Sequence, residues 1–282
     1  MSVSHRQLAS RTALMVAAYR GAASARPDAI CHDPHAAALA GEEGREIAAR
    51  FSSTFPAMEL WVALRTAFLD AQVERWLSQG SVQVVILGAG FDTRAARLAR
   101  EGVRFFEVDH PATQADKRQR LARISDYPAT AAHYAPCDFE RDELVECLRQ
   151  SGFSTDQPAV VLWEGVVPYL TEVAVRKTLH TVAHELHPRS VIAFDYLMKT
   201  MVESQRLSES DARTRAQVEE LGEPLRFGTN HPLPLLHEEG FGRVRTISFD
   251  EIALDFGAGY DRARQFRFQH VALASREAAV IV

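Results

Sequence analysis

The residues able to do chemistry recur at regular intervals along this chain, each just after a run of apolar, often β-branched residues. Gly88-Ala89-Gly90 follows the run at 82–87 and leads into Phe91-Asp92-Thr93. Glycine has no side chain to hold a ligand away, so a strand, a Gly-Ala-Gly turn and a helix start let backbone amides approach a bound molecule closely. Asp109 stands at the end of the next run, about twenty residues on. In a Rossmann-type unit an acid at that place accepts hydrogen bonds from ribose hydroxyls. Asp138 follows the third run, placed to accept from an adenine amino group, and Glu164 ends the fourth inside Trp163-Glu164-Gly165-Val166. Ligands of open α/β sheets bind outside the carboxyl ends of the strands. The pattern predicts an adenosine-type cofactor.

The type of cofactor can be narrowed. The third glycine of a dinucleotide fingerprint packs the helix tightly beside a pyrophosphate, and here Thr93 replaces it. That disfavours NAD. A sulfonium cofactor has no pyrophosphate to cradle, and Asp92 and Thr93 are then free to cap the next helix. The lesser alternative for Glu164 is a solvent-facing turn residue, since strand-end loops are polar by default.

Positioning these groups requires a parallel α/β sheet. Strands are expected at 82–87, 104–108, 131–135, 159–163 and 191–196, with helices near 111–124, 142–150 and 171–186 between them, giving five βα units. Residues 1–80 read as a helical cap; its clearest helix spans 57–79 and stops at Gly80. Asp33-Pro34 and Gly41-Glu42-Glu43-Gly44 mark turns between shorter helices. Residues 81–198 form the core. The polar, helical stretch 199–221, within a segment 199–228, reads as a lid insertion. Residues 229–282 complete the sheet with an antiparallel pair, 243–249 and 266–275, joined at Gly257-Ala258-Gly259.

Composition narrows the classes. At 282 residues, 46% hydrophobic and 24% charged, the chain has the make-up of an ordinary globular protein. A net charge of -5 with a pI near 6.1 removes the basis for holding a phosphate backbone, so no nucleic-acid partner is expected. No apolar run approaches the ~18 residues of a membrane span, and a cytoplasmic location is expected. The three cysteines, Cys31, Cys137 and Cys147, have no CxxC spacing, which argues against a disulfide framework or zinc site. His180 and His184 share a helix face but lack an HExxH glutamate, so no metal is expected. His110 and His231 stand as possible bases near the cleft, though both precede prolines and can equally be helix-start or turn residues.

Taken together, Leu64-Arg65-Thr66 with Asp70, the segment Gly88 to Arg94, Phe106-Glu107-Val108-Asp109-His110-Pro111, Cys137-Asp138, and Glu164-Gly165-Val166-Val167-Pro168-Tyr169-Leu170 resemble the leucine carboxyl methyltransferase family, more closely its bacterial small-molecule branch. The resemblance runs from about Ala9 through the fifth strand. It implies a class I methyltransferase sheet and S-adenosyl-L-methionine as cofactor. Arg65 would pair with the methionine carboxylate, a contact a guanidinium makes through two parallel hydrogen bonds. Gly88 would lie against the cofactor, Asp109 would hold the ribose, Asp138 the adenine amino group and Glu164 the methionine amino group. Ala89, Gly90, Asp92 and Phe139 complete the implied cofactor set, and Tyr169 is a further catalytic candidate. Arg11 is the nearest candidate for the family's N-terminal basic contact. The family's Asp-Leu-Arg after the third strand reads Asp138-Phe139-Glu140 here.

The implied reaction is transfer of a methyl group to oxygen on a small molecule or peptide. A carboxylate acceptor needs no base; a hydroxyl does better with a histidine in reach. An NAD-dependent oxidoreductase, or a binding module that has lost turnover, would be the rivals on the same fold. The sequence identifies neither the acceptor nor the oligomeric state.

Overall fold

In the computed structural model, residues 10–128, 130–257 and 267–277 are described. Their centre is a seven-stranded sheet in the order β3-β2-β1-β4-β5-β7-β6. It comprises β1 (Gln83–Leu87), β2 (Arg104–Asp109), β3 (His133–Pro136), β4 (Ala159–Trp163), β5 (Val191–Leu197), β6 (Arg243–Ser248) and β7 (Gln269–Ser275). The first five are parallel, and β7 runs antiparallel to both β5 and β6. Strands β1, β4 and β5 are buried at every residue, which is why they read as unbroken apolar runs. The chain reverses direction across the sheet between β1 and β4, and that crevice is where an open α/β sheet accepts a ligand.

The cap is α1 (Arg11–Ser24), α2 (Ala36–Ser52) and α3 (Met58–Ser78). Ser10 caps α1 by accepting from the Ala13 amide at 3.0 Å. Gly80, with φ +95°, ends the α3 segment in the left-handed conformation glycine adopts without penalty. The turn expected at Gly41–Gly44 is instead a kink inside α2, where Gly41 alone leaves helical geometry (φ 62°, ψ -164°) and the helix resumes. A buried clasp ties the cap to the core: Arg20 Nε donates to Asp33 Oδ2 at 2.6 Å and its Nη2 to the Phe91 carbonyl at 2.5 Å.

After the glycine turn the expected helix is reduced to the single turn α4 (Arg94–Arg97). Helix α5 (Pro111–Leu121) begins with His110 as cap and proline in its first turn; α6 (Leu144–Gln150) and α7 (Glu172–His184) follow their strands as expected. The lid stretch is broken into α8 (Lys199–Glu203) and α9 (Glu209–Glu220), and α10 (Pro232–Glu238) precedes β6. The C-terminal strands pair antiparallel, but a helix, α11 (Phe249–Asp255), stands between them. A capping box of Ser248 and Glu251 starts it, a local signal the strand pattern masked. Of the expected joining residues, Ala258 and Gly259 lie outside the described residues.

Candidate cofactor and acceptor site

A cavity of about 590 Å³ opens at the carboxyl ends of β1, β2, β3 and β4, within the usual range for small-molecule sites. Its wall includes Gly88, Ala89, Gly90 and Asp92 from the first turn, and Asp109, Asp138 and Glu164 from the next three strand ends. The strand-end positions singled out in the sequence are therefore brought together.

Gly88 has φ +63°, and a Cβ added there would overlap the Val166 side chain. Gly90, at φ +48°, lies where a Cβ would come within 2.9 Å of Ala13 Cβ. Both glycines are required by conformation and by close approach. Asp109 Oδ2 accepts from the Gly90 amide at 2.5 Å and Oδ1 from the His110 amide at 2.6 Å. Burial pushes the Asp109 carboxyl up to about 6, against those two amides, which favour its charged form.

On and behind the cavity wall lies a network of ion pairs whose pairing the sequence did not reveal. Arg65 Nε donates to Glu164 Oε1 at 2.7 Å, its Nη1 to Asp195 Oδ2 at 2.7 Å, and its guanidinium lies 3.8 Å over the Trp61 ring. Arg94 donates to Asp70 at 2.6 Å, to Glu164 Oε2 at 2.7 Å, and to Asp92. With Arg20 and Arg97, four arginines face the five carboxylates of Asp33, Asp70, Asp92, Glu164 and Asp195. Burial alone would raise the Asp92 and Glu164 carboxyls, but the arginines, led by Arg94, hold both below the ordinary carboxylate range. Burial dominates at Asp195 and raises it, with Arg65 opposing. The excess of carboxylates suits a cationic ligand.

The leucine carboxyl methyltransferase family model matches residues 13–183. This chain belongs to that family. A Mycolicibacterium gilvum (strain PYR-GCK) protein described as an S-adenosyl-L-methionine-dependent methyltransferase is 34% identical over 265 residues, 88% of this chain and 81% of that protein. A Mycobacterium ulcerans (strain Agy99) protein of the same description is 30% identical over 257 residues, 86% of this chain and 85% of its own length. In fold, the chain is similar to a DUF574 family protein from Streptomyces avermitilis (TM-score 0.64, 14% identity, 93% of this chain and 97% of that one). It is also similar to a Thermobifida fusca protein described as a methyltransferase (TM-score 0.62, 16% identity, 93% and 94%). The chain is thus an S-adenosylmethionine-dependent methyltransferase on a class I sheet.

The methyltransferase's cavity fits that cofactor. Gly88 and Gly90 put bare backbone on its wall, and Thr12, also on the wall, has a buried hydroxyl with no hydrogen-bond partner among the described residues. Arg65 and Glu164 are both on the wall, already paired with each other. Asp138 Oδ1 caps its own loop by accepting from the Glu140 amide at 3.0 Å, and Phe139 lies beside it against Trp163, with ring centroids 6.3 Å apart. Glu140, where the family has arginine, accepts from the Thr171 amide and hydroxyl at 3.3 and 3.1 Å and so holds the start of α7.

The other candidates separate. His110 lines the cavity, but its Nδ1 accepts from the Ala112 amide at 3.3 Å as a helix cap. His231 is exposed and lines no described cavity, and Arg11 is likewise exposed; Arg20 is the N-terminal cation on the wall. Tyr169 lines the cofactor cavity and also a second, adjoining chamber, and burial raises its phenol so that it stays protonated. That chamber is walled by apolar side chains from cap and lid, among them Phe51, Phe55, Met58, Met201 and Val218. It meets the cofactor cavity along Thr12, Val16, Arg65, Gly165 and Tyr169. Folding also brings Cys137, Cys147 and Asp142 within 4.8 Å of one another, a proximity that spacing in sequence did not suggest. Asp142 Oδ2 there accepts the Asp138 amide at 2.8 Å, which accounts for the carboxylate structurally.

Proposed function

We propose that this methyltransferase transfers its methyl group to oxygen, a carboxylate or hydroxyl, of a small and largely apolar molecule of secondary metabolism. The observation that carries the reading is a mostly apolar side chamber of about 70 Å³, which extends the 590 Å³ cavity past Thr12, Gly165 and Tyr169. Phe51, Phe55 and Met58 of the cap and Met201 and Val218 of the lid line it. Gln217 of the lid donates to Thr54 of the cap at 2.8 Å, a closure that suits a small molecule better than a folded protein's C-terminus, the alternative acceptor. The free thiols Cys31, Cys137 and Cys147 support a reducing, cytoplasmic setting.

In this reading Asp109 accepts from the ribose hydroxyls, while Asp138 and Phe139 border the adenine. Gly88, Ala89 and Gly90 give the cofactor backbone access, with Asp92 behind them bracing Arg94. Arg65, with Nε on Glu164 and Nη1 on Asp195, would turn its remaining N–H groups to the methionine carboxylate, and Glu164 would meet the amino group. Bound S-adenosylmethionine would supply a methyl group on a sulfur that is itself a good leaving group, so no residue here has to activate one. The protein's part is to align the acceptor and exclude water. Tyr169, held protonated, donates to the acceptor oxygen and fixes its direction. Among the described residues no histidine lines the second chamber, which favours a carboxylate, already ionised at neutral pH, over a hydroxyl needing a base.

Incubating the protein with methyl-labelled cofactor and a small-molecule extract tests this. The expected product is label on oxygen of a low-mass, solvent-extractable compound, released as methanol in mild base if the acceptor is a carboxylate and retained as an ether if it is a hydroxyl. Label appearing only on protein, or on nitrogen, would contradict it.

A further inference from the structure

Beneath the glycine turn lies a second buried charge pair, which the reaction described above does not use. Lys117 of α5 and Glu107 of β2 are inside the protein, at 1% and 0% side-chain exposure, with Lys117 Nζ 2.5 Å from Glu107 Oε2. Stability does not account for such a pair. Burial pushes the Glu107 carboxyl up to about 7 even with the ammonium opposing it, and Glu107 Oε1 has no hydrogen-bond partner among the described residues. An apolar pair of similar volume often folds as well or better in such a position.

Lys117 has a second contact. Its Nζ also donates to the Asp92 carbonyl at 2.5 Å, where the turn after β1 runs into α4. The preceding carbonyl, of Phe91, accepts from Arg20, so consecutive peptide oxygens at the end of the turn are each held by a buried cation. Fixing those oxygens fixes the peptide planes that carry them. Just upstream, the Asp92 amide closes on the Ala89 carbonyl at 2.7 Å and the Gly90 amide donates to Asp109 Oδ2 at 2.5 Å. Glu107 stands two residues before Asp109 in β2, so their side chains share a face of the strand. Lys117 thus ties the strand that carries Asp109 to the turn that orients its carboxylate, although Lys117 itself does not line the cavity.

Resting on the reading in which Asp109 holds the ribose, we propose that Lys117 is a positioning residue of the cofactor site: by holding the Asp92 carbonyl it keeps the Gly90 amide on Asp109 and aims that carboxylate at the ribose hydroxyls. A group that binds ligand is only as well placed as the contacts that lock it, and here the lock is an ammonium shared between β2 and the turn.

Calorimetric titration with S-adenosylhomocysteine, run beside urea unfolding, separates positioning from packing. Lys117→Met leaves Glu107 buried and unpaired, and should lose both stability and affinity. Lys117→Met with Glu107→Leu makes the pair apolar; its unfolding midpoint should return to the parent's or above while its affinity stays at least about tenfold lower. In that double variant the amides of 89–92 should exchange with solvent faster than in the parent, and those of β1 and β4 at the parental rate. Glu107→Gln keeps an oxygen for Lys117 and leaves the Asp92 contact in place, so it should weaken binding by less than about threefold. Parental affinity in the double variant overturns the proposal. So does a loss of about tenfold in Glu107→Gln, a test that stands even if neither variant of Lys117 folds. Parental affinity in Asp109→Asn would instead overturn the ribose reading on which the proposal rests.

Discussion

Arg65 Nε lies 2.7 Å from Glu164 Oε1, joining the cap helix to the end of β4 across 99 residues of sequence. Both side chains are almost fully buried, as is Asp195 on the other side of the guanidinium. Removing one partner of such a group leaves buried charge uncompensated, which costs ~3–5 kcal/mol. Arg65→Leu should lose that much in urea unfolding, and Arg65→Leu with Asp195→Asn should recover part of it. A loss under about 1 kcal/mol, the range of exposed pairs, would show that the cluster does not hold cap and core together.

Gly88→Ala tests the glycine turn. Alanine at φ +63° is strained by ~1–2 kcal/mol, and its Cβ overlaps Val166. The variant should bind S-adenosylhomocysteine at least about tenfold more weakly in calorimetry, the equivalent of ~1.4 kcal/mol. Adding Val166→Ala should relieve the overlap but not the backbone strain, restoring affinity only in part. Unchanged affinity in the single variant would mean the cofactor does not approach this turn.

Cofactor binding should depend on pH through Asp109. Burial pushes its carboxyl up to about 6, and in the proposed reading the ionised form accepts from the ribose. Affinity should be level above that value and fall as pH drops through it, approaching tenfold per unit once the group is protonated. Asp109→Asn should remove this pH dependence and weaken binding at pH 7.5 about tenfold or more, the loss of a charge-assisted hydrogen bond of ~1.5–3 kcal/mol. A parent protein whose affinity is flat between pH 7 and ~5 would contradict the assignment.

The parallel core of the sheet and the cavity wall were legible because β1, β2 and β4 are largely apolar runs that end at a glycine or an acid, a local signal. Asp195 was not, since its partner Arg65 is 130 residues away and nothing in Phe194-Asp195-Tyr196 marks an inward-facing acid. Asp92 was read as a cofactor contact or a cap. It does cap, accepting the Arg94 amide at 2.6 Å, but its carboxylate is also drawn into the arginine layer. The pairing of His110 with its own helix was foreseeable from Pro111, whereas the acceptor chamber is assembled from cap, lid and sheet ends that share no spacing.

Metal should play no part in binding. A chelator is expected to leave both thermal unfolding and S-adenosylhomocysteine affinity unchanged, since a sulfonium carries its own leaving group. Elemental analysis should find far less than one zinc per chain. Stoichiometric zinc, lost together with stability in a Cys147→Ser variant, would instead make Cys137, Asp142 and Cys147 a metal site.

The most direct measurement is a crystal structure with S-adenosylhomocysteine bound. Ribose hydroxyls are expected within hydrogen-bond distance of Asp109, adenine beside Asp138 and Phe139, and the amino acid end between Arg65 and Glu164. The sulfur should face the second chamber past Thr12, Gly165 and Tyr169. A nucleoside bound elsewhere on the sheet, or a sulfur turned away from that chamber, would contradict it.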